Sequence, residues 1–67
     1  MSNFKLLKMH CKKYGLVAHY YMLGRLYRIY NYEHVFLVRV ISEELLNTME
    51  KPEIEKLVVE CALERME

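Results

Sequence analysis

Apolar positions in the opening stretch fall at Phe4, Leu7, Cys11 and Tyr14, the three-and-four spacing of one helix face. Ser2 or Asn3 stands where a side chain caps such a helix, and Gly15 stands where the chain leaves it. The pattern predicts a helix near residues 3–14. At the far end Ile54, Leu57, Val58, Cys61 and Ala62 form a second apolar stripe. Pro52 suits the first turn there, and Glu53 and Glu55 complement the positive end of the dipole, so a last helix is predicted near residues 53–66.

The middle of the chain carries two periods at once. Leu16, Tyr20, Leu23, Tyr27, Tyr30, His34, Leu37 and Ile41 advance in alternating steps of four and three, the seam of a helix packed against other helices. The same stretch is dense in Tyr, Val, Ile and Phe, which favour strands. Strands near 25–30 and 35–41 could be joined by Asn31, Tyr32, Glu33 and His34, with Tyr27, Ile29, Phe36, Val38 and Val40 on one face. Ser42, followed by Glu43 and Glu44, would then cap a new helix. No Gly or Pro interrupts Arg25 to Lys51, which favours the continuous seam. The expected fold is therefore all-α: a single small domain over 1–67, a helical bundle of three to four helices completed by dimerisation. The alternative is an α+β domain with a central β-hairpin flanked by helices.

Length sharpens the expectation of a partner. A chain of 67 residues buries only about 60% of the surface its unfolded form exposes. Cys11 and Cys61 have neither the spacing of a zinc or redox motif nor the density of a disulfide scaffold. Self-association as a homodimer is the expected support. No apolar run has the length of a membrane span, and Lys5 and Lys8 break up the N-terminal segment, so a cytoplasmic protein with reduced cysteines is expected.

Charge divides the chain. Residues 1–32 contain Lys5, Lys8, Lys12, Lys13, Arg25 and Arg28 with no Asp or Glu, whereas all nine Glu follow from residue 33 onward. The halves are expected to pack against each other within the chain or across a dimer, with Arg39 and Glu43 as a surface ion pair. All six tyrosines also fall in the basic half. Cations beside aromatic rings are the components of a nucleic-acid surface, for which Lys12, Lys13, Arg25 and Arg28 are the candidate contacts. They are spread along the sequence without a tight cluster.

Residues 35–66, VFLVRVISEELLNTMEKPEIEKLVVECALERM, are similar to a ribbon-helix-helix repressor in having a candidate strand, a Ser-Glu-Glu helix start and a second helix ending ALERM. That resemblance implies a dimer inserting paired strands into the DNA major groove. Only Arg39 in the strand could read a polar base edge. The interval from Ser42 to Pro52 is also about two helical turns short for that family, and the family is not adopted for this chain.

His10, His19 and His34 with Cys11 and Cys61 are the candidate metal ligands, but neighbours such as His10 and Cys11 project in different directions from a helix, and no metal or other cofactor is expected. His34 lies in the seam, where its titration would make a dimer pH-sensitive. There is no Asp, no Gly-rich phosphate loop and no nucleophile with an activating neighbourhood, so an enzyme is not expected. The expected function is a small regulatory or inhibitory protein acting by protein–protein interaction, in the manner of an adaptor, an antirepressor or a phage-type inhibitor. Its partner-binding residues are expected among Tyr20, Tyr21, Tyr27, Tyr30, Tyr32 and Leu37, because aromatic side chains bury much area with few rotatable bonds. A nucleic-acid-binding regulator is the alternative.

Overall fold

A computed structural model describes residues 1–31 and 37–65. Helix α1 (Asn3–Lys13) leads into strands β1 (Leu16–Tyr21), β2 (Leu26–Asn31) and β3 (Leu37–Ser42), then helices α2 (Glu43–Thr48) and α3 (Lys51–Arg65). The strands form one antiparallel sheet in the order β1-β2-β3. The fold is therefore α+β, and the expected all-α helical bundle is corrected. The α+β alternative had the right class but one strand too few, because β1 was absorbed into the seam.

The seam failed as a helix signal for a local reason. In strands its residues divide between the two faces, Leu16, Tyr20, Tyr27 and Ile41 toward the helices and Tyr30 and Leu37 away from them. Gly15 takes φ 75°, a left-handed conformation that lets the chain turn straight from α1 into β1. Residues 22–25 make the second reversal, in which Arg25 N–H donates to Met22 O at 3.2 Å and Arg25 itself sits at φ 51°. Leu23, an intended seam position, is 88% exposed at that hairpin tip, where a helix would have buried it. The absence of Gly and Pro after Arg25 carried no information, since the β2–β3 connection falls in 32–36. Seam residue His34 and strand positions Val35 and Phe36 lie outside the described residues, as does Tyr32.

All three helices cover one face of the sheet. Leu16 and Ala18 from β1, Tyr27 and Ile29 from β2, and Ile41 from β3 meet Leu7 and Cys11 of α1, Leu46 of α2, and Ile54, Leu57, Val58, Cys61 and Ala62 of α3 in one core. The pairing Tyr27↔Ile41 and Ile29↔Arg39 sets this inward face of β3. Between Ile29 and Tyr30 the register slips, so that Tyr30 pairs with Leu37 and Val38 becomes the extra residue of a bulge. Val38 packs against the core while Val40 points away, 45% exposed, so the face expected to join Phe36, Val38 and Val40 does not form as such.

Helix ends are secured by side chains. Ser2 Oγ accepts from Lys5 N–H at 3.2 Å and Ser42 Oγ from Leu45 N–H at 3.0 Å. Glu53 reaches back to accept from Glu50 N–H at 2.8 Å ahead of α3. The amide of Asn3 donates to Leu46 O at 2.7 Å and Met49 O at 3.0 Å, fastening the start of α1 to the α2–α3 joint.

The basic and acidic halves do pack together within the chain. His10 faces Glu55 at 3.8 Å, and Arg25 Nε donates to Glu43 Oε1 at 3.3 Å. The expected Arg39–Glu43 pair is replaced. Arg39 faces inward from β3 and pairs with Glu60, at 3.6 Å, and Glu64, one turn apart on α3.

Candidate functional site

Alternation along three paired strands sends a second set of side chains to the side opposite the helices. Val17, His19 and Tyr21 of β1, Leu26, Arg28 and Tyr30 of β2, and Leu37 and Val40 of β3 share that face. None of them is buried, and Leu37, Val40 and Tyr21 remain 47%, 45% and 38% exposed. Among the described residues no helix lies over this face. Apolar area left open on a sheet is the informative exception on a protein surface.

Two cross-strand contacts order the polar part of the face. The Arg28 guanidinium lies 3.9 Å from the centre of the Tyr21 ring, and the His19 and Tyr30 rings are 5.9 Å apart and tilted by 60°. No carboxylate belongs to the face among the described residues: apart from Ser42, which pairs with Leu26 and caps α2, the face residues are drawn from Val, His, Tyr, Leu and Arg.

The expected partner residues divide between the two sides. Tyr21, Tyr30 and Leu37 stand together on the open face, joined by Arg28 from the nucleic-acid set. Tyr27 is 5% exposed and belongs to the core. Tyr20 lies on the helix side, where its ring packs 5.0 Å from Tyr27 and 6.5 Å from Phe4. Its hydroxyl donates to the Glu43 carboxylate, and burial, followed by that hydrogen bond, holds its pKa above the ordinary tyrosine value. Burial does the same for Tyr27, with Glu43 adding to it. The face residues that the sequence reading missed are Val17, Leu26, Val40 and His19. A period-two count through 16–21 would have found the two in β1.

The candidate nucleic-acid contacts are separated. Lys12 and Lys13 are exposed at the C-terminal end of α1, while Arg25 lies at the hairpin tip, the opposite end of β1. Arg25 is also engaged at home: its backbone oxygen accepts from Glu43 N–H at 3.0 Å and its side chain binds the same residue's carboxylate. A cleft of about 630 Å³ opens there beside Ser42, Glu44 and Thr48. A smaller one, about 230 Å³, lies between Lys8 and Lys12 of α1 and the edge residues Leu16, Val17 and Ala18.

Cys11 and Cys61 are both free thiols with no exposed surface. Burial, with Cys61 nearby, pushes the Cys11 thiol up to about 12, and burial also raises Cys61. Among the described residues no three His, Cys, Asp or Glu side chains converge as a metal site, and no helix is long and apolar enough to cross a membrane. No protein-family model, curated protein or solved structure matches this chain.

Proposed function

We propose that this chain is a small regulatory or inhibitory protein acting in the cytoplasm by protein–protein contact, with the helix-free sheet face as its binding surface. The carrying observation is the composition of that face: Val17, Tyr21, Leu26, Tyr30, Leu37 and Val40 surround one arginine and one histidine, and none of the eight is buried. Six apolar side chains gathered on one side of a three-stranded sheet make a contiguous patch of the kind that is often functional, and the two tyrosines supply the rigid, amphipathic anchors common at interfaces. Two cysteines used as buried apolar side chains support a reducing compartment.

The test is a photo-crosslinking amino acid in place of Val40, on the open face, with one in place of Leu63, exposed on α3, as control. In cells expressing the protein, Val40 should give a protease-sensitive adduct that the Leu63 position does not give. Adducts removed by nuclease, or equal adducts at both positions, refute the proposal.

A second reading has one observation of its own. Tyr21, His19 and Tyr30 put flat rings beside the Arg28 cation on adjacent strands, an arrangement that stacks bases of single-stranded nucleic acid. It predicts binding of a short oligonucleotide that falls steeply as salt rises.

A further inference from the structure

The size and charge of the open face define what fits it. Six-residue strands are roughly 20 Å long, and three of them span roughly 14 Å, so the face offers about 300 Å². A stable contact between two globular proteins uses about 800 Å² per partner. One α-helix is about 10 Å wide, and about 13 residues of it match the strand length. An extended peptide would pair with a sheet edge and leave the face untouched.

Resting on the protein-contact reading above, we infer that the face takes a single amphipathic helix from a partner protein, with aliphatic side chains toward Leu26, Tyr30, Leu37 and Val40 and a carboxylate over Arg28. The helix completes a third layer on the sheet. Its carboxylate answers the only fixed charge on the face among the described residues, which lies mid-strand on β2, flanked by His19 and Val40 on the neighbouring strands. Covered without a counter-charge, that guanidinium would be desolvated and unpaired.

The same charge argues against a second copy as occupant. Face-to-face packing about a two-fold axis would bring two Arg28 side chains together at the centre with no acidic residue of either face between them among the described residues. Nucleic acid satisfies the cation but leaves Val17, Leu26, Leu37 and Val40 against bases or phosphates, and Lys12, Lys13 and Arg25 stand at opposite ends of the sheet instead of along one track.

The experiment is selection from a display library of 14-residue helical peptides against the full chain, with Leu37→Glu and Arg28→Glu variants whose folding is checked by circular dichroism. Enriched peptides should carry aliphatic residues at i, i+3, i+4 and i+7 with Asp or Glu beside that stripe. Arg28→Glu should weaken them at least about tenfold, and exchanging that acid for Lys should restore binding to the Arg28→Glu chain. Enriched sequences that are extended, basic or indifferent to Arg28→Glu, yet lost with Leu37→Glu, overturn this inference while the protein-contact reading stands. No enrichment over Leu37→Glu defeats both. A dimer by light scattering that Leu37→Glu dissociates assigns the face to a second copy, and retention of a dT oligonucleotide that Arg28→Glu abolishes assigns it to nucleic acid; either result overturns the inference.

Discussion

Replacing Asn3 by Ala removes one side chain that ties residues more than forty positions apart. The amide gives two hydrogen bonds, to Leu46 O at 2.7 Å and to Met49 O at 3.0 Å. A net hydrogen bond contributes about 1 kcal/mol, which sets the upper expectation near 2 kcal/mol. Leu46 O keeps a second donor, Met49 N–H at 3.1 Å, so its loss is softened. Ala is also the better helix former by a few tenths of a kcal/mol. The expected net loss is therefore about 1 to 1.5 kcal/mol, against a total roughly between 3 and 10 kcal/mol for a chain of this size. In thermal melts this corresponds to a fall of about 5–10 °C. Urea titration of wild type and Asn3→Ala, with Ser2→Ala as a cap-only comparison, measures it. A loss under about 0.5 kcal/mol would mean that the amide bonds exchange with water at no cost and that the α1-to-α2 fastening is not a stabilising element.

Further outcomes follow from other parts of the molecule. Tyr20 and Tyr27 both titrate above the ordinary tyrosine value in the fold, so their contribution is complete below pH 10 and is lost as pH rises beyond it. Tyr20→Phe should flatten the alkaline limb of a stability–pH curve, and an unchanged limb counts against the Tyr20–Glu43 bond. The thiols of Cys11 and Cys61 should react with iodoacetamide at neutral pH only through unfolding, at a rate that rises with added urea; rapid labelling of either in the native protein contradicts their burial. Arg25→Gly relieves a left-handed backbone by about 1 kcal/mol but gives up the exposed Glu43 pair, so stability should change by less than about 0.5 kcal/mol. A loss above 1 kcal/mol would show the Arg25 side chain holding α2 more firmly than a surface contact does. Ile54→Ala, at a position with no exposed surface, should cost about 2–5 kcal/mol and leave much of the chain unfolded at 37 °C by circular dichroism.

How far the sequence could be read depended on whether one period dominated. Phe4, Leu7 and Cys11 admit only a helix, and α1 runs Asn3–Lys13 against an expected 3–14; Ile54 to Ala62 likewise lie in α3, Lys51–Arg65. In the middle, residues spaced by seven keep the same place in a helix but change face in a strand. Tyr20 and Tyr27 still meet, because the reversal at 22–25 folds them into a cross-strand pair. Tyr30 and Leu37, also seven apart, meet for the same reason across β2 and β3. Helical reasoning thus grouped residues that do touch, through the wrong geometry. It could not separate Tyr27 in the core from Tyr30 on the open face, since that distinction exists only in strands. Arg25 illustrates a different limit: its Glu43 partner is eighteen positions away and follows from the Leu26–Ser42 pairing of β2 with β3, which the continuous-seam reading set aside.

The bulge at Val38 gives β3 two segments of opposite parity. From Arg39 to Ile41 the strand alternates in step with Tyr27 and Ile29, while Leu37 is displaced by one residue from where an unbroken ladder would put it. In an uninterrupted register Val38 would pair with Tyr30 and face outward, and Leu37 would turn inward. Deleting Val38 would close the ladder with Leu37 still opposite Tyr30, whereas deleting Leu37 would put Val38 on display instead, and neither change moves the Tyr27–Ile41 pair of the core. Surface and core along β3 are separately addressable, so a lineage or a designer could change what the face displays by insertion and deletion at one site, leaving the core pairing of the strand as it is.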